Sequence, residues 1–142
     1  MMTTLIDRGI MLGGLVLAVA ALPTSAQGPA PRAATPDSIT PAMIARGDSV
    51  FHGKVGGGTC YVCHGQEAKG TQGLAPNLTA GKWLNGDGSF AFIVNTVKNG
   101  VPNPKESPAA MPPLGGANLS ADQVRAVAAY VYSLSRSKTR KD

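Results

Sequence analysis

The segment Cys60-Tyr61-Val62-Cys63-His64 sets two thiols three residues apart and an imidazole directly after the second. On a helical turn, thiols so spaced reach the two vinyl groups on neighbouring edges of a porphyrin. The following histidine then projects beneath the ring, onto the iron. C-x-x-C-H is therefore the attachment signature of one covalently bound haem c, with Cys60 and Cys63 as thioether donors and His64 as an iron ligand. Three other chemistries use these residue types. A thioredoxin-type dithiol needs a strand–helix context in a βαβ fold, and no run in the chain alternates as a strand would. A zinc centre needs four ligands, and only one further histidine, His52, is present. A simple disulfide would leave a small core without support.

The sixth ligand follows by elimination among Met43, Met111 and His52. Met43 falls on the apolar face of a predicted helix, where a core role explains it. His52 closes the same helix beside the attachment motif, is badly placed for the opposite haem face, and reads as a surface residue. Met111 lies in Ala109-Ala110-Met111-Pro112-Pro113, 47 residues after His64. Prolines there lower the entropy of the unfolded loop and hold the thioether in place. The expected iron ligands are His64 and Met111.

These residues need elements to position them. A helix is predicted to start at Thr40 and Pro41, an N-cap followed by proline in the first turn. Met43, Gly47, Val50 and Phe51 share one face of it, and Gly53 ends it. Gly56, Gly57 and Gly58 lead into the motif and permit either close approach to a flat ligand or an ordinary loop. Residues 70–88 read as loop and turns. A second helix runs from Ser89 to Lys98, with Phe90, Ile93, Val94 and Val97 on one face and Asn99-Gly100 as its stop. Residues 101–119 carry five prolines and no periodicity, and so long an irregular stretch in a small domain signals function. The last helix opens with a capping box, Ser120 and Gln123. Val124, Val127, Ala128, Val131 and Leu134 form its buried face, and residues 136–142 form a solvated basic tail.

Residues 1–26 read as a signal peptide: Arg8, an apolar run from Ile10 to Leu22, then small residues up to Ala26. As a helix that run rises about 20 Å, too short for a hydrocarbon core of roughly 30 Å. Cleavage after Ala26, export to the periplasm and no transmembrane segment in the mature chain are the expectation. Residues 27–39, rich in Pro and Ala, form a linker. The domain proper is residues 40–135, predicted all-α. A chain so small buries only about 65% of its unfolded surface, and three to four short helices packed around one haem supply the missing core. The segment up to Ala26 contains one Asp and one Arg, so the mature chain keeps the formal +5 charge. That balance suits redox protein partners with acidic docking surfaces or an anionic membrane surface, or is simply a basic, soluble exterior. Scattered basic residues and few aromatics exclude a nucleic-acid binder.

With these residues in view, the chain resembles the class I monohaem cytochromes c of the small bacterial type, over residues 41–135. Gly47 and Phe51 resemble the glycine and aromatic of that family's first helix, and Val127 and Tyr130 the positions of its last helix that cross it. Ala75-Pro76-Asn77-Leu78 resembles the segment after the haem motif. The resemblance implies that the Pro76 carbonyl accepts a hydrogen bond from His64. Trp83 is either a partner of the haem propionates or a packing residue. The implied function is one-electron transfer through a haem with both axial positions filled, its edge exposed near Cys60 and Cys63, without catalysis by the chain itself. Methionine ligation and burial both favour ferrous iron and raise the potential. Lys54, Lys69 and Lys82 are docking candidates or ordinary surface residues. Two alternatives remain: a dedicated cytochrome subunit of a periplasmic dehydrogenase or oxidase within a larger respiratory complex, and a haem enzyme or gas sensor with a labile sixth position.

Overall fold

A computed structural model describes residues 39–137. The signal segment, its cleavage site, residues 27–38 of the linker and residues 138–142 of the tail lie outside the described residues. Among the described residues there are four α-helices, α1 (Pro41–Phe51), α2 (Cys60–His64), α3 (Phe90–Asn99) and α4 (Ala121–Ser137), with a 3₁₀ turn over Pro113–Gly116. Among the described residues β-pairing is limited to two isolated bridges, Thr71 with Ala75 and Val101 with Met111. The fold is all-α and cytochrome c-like.

Each long helix starts where a side chain satisfies an otherwise unpaired amide. Thr40 accepts from the Met43 amide at 3.2 Å, with Pro41 in the first turn, where its missing N–H costs nothing. Ser89 accepts from Phe92 at 3.1 Å. Ser120 and Gln123 close a reciprocal box, at 2.7 Å and 3.3 Å. Such caps are worth about 1 kcal/mol each.

Helix α1 crosses α4 at Gly47, which lies against the Ala126 carbonyl and Tyr130 Cβ with no room for a side chain. Phe51 is fully buried beneath this crossing and meets the Tyr130 ring at 5.4 Å between centroids. Helix α3 joins through Phe90, which packs edge-on to Tyr132 at 6.3 Å. Val50, Phe51, Ile93, Val97, Val127 and Val131 form the centre of the core.

Two details of α4 differ from expectation. Leu134 is half-buried, and Ser135 is buried in its stead. The apolar stripe through Val124, Val127 and Val131 continues at i+4, and the Ser135 hydroxyl is satisfied by the Tyr132 carbonyl at 2.8 Å. The helix also runs through Arg136 to Ser137. The Arg136 guanidinium sits 4.8 Å above the Tyr132 ring one turn back.

The triple glycine also differs. Gly58 packs on the main-chain carbonyl of Val50 in α1, and none of the three glycines reaches the cavity described next. Gly58 approaches α1 and Gly56 the Gln123 side chain of α4, while Gly57 stands in open space, as in an ordinary loop.

Candidate haem site

The three long helices and the loops between them enclose a mainly apolar cavity of about 550 Å³. Cys60, Cys63, His64, Pro76 and Met111 all line it. Phe51, Ile93, Val97 and Val127 supply its apolar floor.

His64, the last residue of α2, is 9% exposed. Its Nδ1 donates to the Pro76 carbonyl at 3.0 Å. A carbonyl only accepts, so this bond fixes the tautomer and leaves Nε2 with a free lone pair. Burial pushes the imidazole below its usual pKa, against the lesser opposing effect of the Pro76 bond. A buried, oriented, neutral imidazole is the form that binds a metal.

The two cysteines are half-buried free thiols. Burial is the main cause that raises the Cys60 thiol above its ordinary pKa. Redox-active and zinc-binding cysteines need the opposite, a stabilised thiolate. An apolar surrounding that disfavours thiolate suits an uncharged thioether. Among the described residues no three His, Cys, Asp or Glu side chains converge to hold a metal ion.

Met111 is half-buried, and its backbone is fixed by a reciprocal pair of bonds with Val101, at 2.9 Å and 3.0 Å. Val101 follows the end of α3, so the helix itself carries the methionine segment. Gly100, with φ +70°, makes that junction possible: a Cβ there would collide with the Met111 carbonyl and with Pro112 and Pro113. Gly100 read in the sequence only as a helix stop.

The other candidates divide. Met43 is half-buried against the core, away from the cavity. His52 is no free surface residue: its side chain is only 18% exposed. Its Nδ1 meets the Asp48 carbonyl at 2.9 Å and carboxylate at 3.1 Å, and its Nε2 meets the Gln66 carbonyl at 2.9 Å. Both nitrogens thus face acceptors, which favours the imidazolium. The Gln66 bond is the foremost cause that raises its pKa, with Asp48 adding to it. The Tyr61 and Tyr130 rings flank it. Trp83 lines the cavity and also packs at right angles on Phe92, 5.9 Å between centroids. Lys54, Lys69 and Lys82 are exposed, and Lys69 is paired with Glu67.

The residues present fit a haem. Cys60 and Cys63 would hold it by thioethers at the cavity's edge, His64 would meet the iron from one side, and Met111 lies on a segment able to meet it from the other. Haem supplies an iron that changes oxidation state by one electron. The chain orients the imidazole through the Pro76 carbonyl and would set the ring against a mainly apolar wall.

Comparison with known proteins agrees. The family model described as cytochrome c oxidase, cbb3-type, subunit III matches residues 42–131. The chain is similar to the cbb3-type cytochrome c oxidase subunit FixP of Rhizobium meliloti (strain 1021), 37% identical over 97 residues, which are 66% of this chain and 28% of that protein. It is also similar to the subunit CcoP of Rhodobacter capsulatus, 42% identical over 76 residues, 53% of this chain and 25% of that protein. The CcoP of Rubrivivax gelatinosus is 38% identical over 96 residues, 67% and 27% of the two chains. The chain thus spans about a quarter of the length of the curated relatives it matches. No solved structure is significantly similar to it. The chain belongs to the family of cbb3-type cytochrome c oxidase subunit III, and is accordingly a c-type cytochrome with covalently bound haem c.

Proposed function

We propose that the protein serves as an electron-transferring cytochrome subunit of a respiratory oxidase assembly of the cbb3 type, with a single haem ligated by His64 and Met111 in the manner of a class I cytochrome. One observation carries the electron-transfer reading: both attachment cysteines, the oriented His64 and Met111 open onto one apolar cavity. A site filled on both axial sides leaves no position for substrate, so the chain passes electrons without catalysis of its own. The kinship with FixP and CcoP supports the oxidase as the assembly it serves.

The route for the electron is the haem edge beside the cysteines. Val62, between them, is 58% exposed, which supports solvent and partner access there. The mature protein is exported to the periplasm after cleavage at Ala26. Among the described residues no helix is long and apolar enough to cross a membrane.

The test is isolation of the tagged, haem-loaded protein from its native cells under mild detergent. Stable co-purification with the other subunits of a haem oxidase, and reduction of that oxidase by the bound protein, is the expected result. A free monomer that reduces several unrelated acceptors, with no oxidase attached, would replace this reading with that of a diffusible carrier.

A further inference from the structure

We infer that Ser107 and Thr59 are positioning residues that clamp the segment carrying Met111 across the haem cavity, and so set how often it opens. The inference rests on the reading of Met111 as the sixth ligand.

The Ser107 hydroxyl donates to the Leu74 carbonyl at 2.6 Å. It also accepts from the Ala109 amide at 3.3 Å, an i to i+2 turn that fixes its direction. Leu74 lies two residues before Pro76, the acceptor for His64. One hydroxyl therefore joins the loop that orients the proximal imidazole to the loop that brings the methionine.

On the other side, the Thr59 hydroxyl donates to the Gly115 carbonyl at 2.9 Å. Thr59 stands at the N-cap position of α2, where a threonine would ordinarily bond to the helix's own amides, yet it makes no such bond. Its hydroxyl is spent on a residue 56 positions away. The acceptor lies in a turn where Leu114, Gly115 and Gly116 all have positive φ, 57°, 65° and 80°. A leucine in that region is strained and needs an external hold.

Met111 sits midway between the anchors, four residues from each. Thr59, Leu74, Ser107 and Gly115 all line the cavity, so both bonds stand on its wall. The Val101 pair fixes Met111 to α3 only. Among the described residues, these two hydroxyls supply the side-chain hydrogen bonds that tie its segment to the half of the molecule bearing the attachment motif and His64. When both bonds break together, the segment is free to swing on α3, and the iron becomes open to outside ligands.

The experiment mixes ferric holoprotein rapidly with saturating imidazole, which captures the iron only after the methionine leaves, so that the observed rate is the opening rate. Ser107→Ala should raise that rate roughly three- to tenfold, and Thr59→Val should raise it by less, from a more exposed bond. Ser107→Thr and Thr59→Ser, which keep the hydroxyls, should retain the native rate. Val124→Ala, in the core away from the cavity, should lower stability and leave the rate unchanged. Clamp variants no faster than native, or a Val124→Ala protein equally fast, would overturn the inference while leaving Met111 as ligand. Should Ser107→Ala fail to fold, Thr59→Val carries the same comparison. Imidazole capture by the native protein as fast as by Met111→Ala would remove Met111 from the iron, and the clamps with it.

Discussion

Gly47 of α1 lies against the main-chain carbonyl of Ala126 on α4, with no space between them for a methyl group. The crossing closes one side of the haem cavity, because Phe51 from α1 and Val127 from α4 both line it. Gly47→Ala should push the helices apart and destabilise the holoprotein by about 1–3 kcal/mol. For a domain of this size that lowers Tm by roughly 4–8 °C per kcal/mol. Thermal unfolding of the ferric protein, followed by circular dichroism, reads the change.

His52 gives a pH dependence whose sign follows from its partners. Its pKa is raised in the folded protein by the Gln66 carbonyl first, then by Asp48, against desolvation and Lys54. A raised folded pKa contributes stability that is fully present below the ordinary value of about 6.5 and is lost as pH rises through the higher folded value. The other ionisable groups around it are the Tyr61 and Tyr130 phenols, and burial raises Tyr130 further. The difference in urea midpoint between native protein and His52→Gln should therefore be larger at about pH 5.5 than at about pH 8.5. A difference that grows with pH would contradict the charged His52.

The attachment chemistry has its own check. Cys60→Ala with Cys63→Ala should abolish haem that survives a denaturing gel, and either single substitution should leave one thioether and a retained, weaker signal. The double variant should also be poorly folded, since the apolar cavity loses the group that fills it.

The export reading predicts a mature protein that begins at Gln27. Intact-mass measurement of protein from a host that attaches haem c should show the chain from residue 27 plus one haem. A mass that includes residues 1–26 would mean the segment is kept.

Much of this was legible in the residues. Caps are local, so Thr40 and Ser120 announced two helices by bonds to amides three residues on, and the helix after Ser89 was plain from its apolar face and its Asn99-Gly100 stop. The fold class followed from helical periodicity, and the cofactor from one five-residue motif. What stayed hidden depends on backbone carbonyls far along the chain. His52 finds Gln66 14 residues on, and Ser107 reaches Leu74 33 residues back. No sequence pattern marks such bonds, because any residue's carbonyl can accept them. The role of Gly100 was hidden similarly: its stop signal was plain, but its contact with the Met111 carbonyl exists only once the loop returns.

The central claim is a haem held between His64 and Met111. Its most direct test is the absorption spectrum of the purified ferrous protein before and after carbon monoxide. The account predicts no change for the native protein and prompt CO binding for Met111→Ala. Prompt CO binding by the native protein would contradict it, and would point to a catalytic or sensing haem.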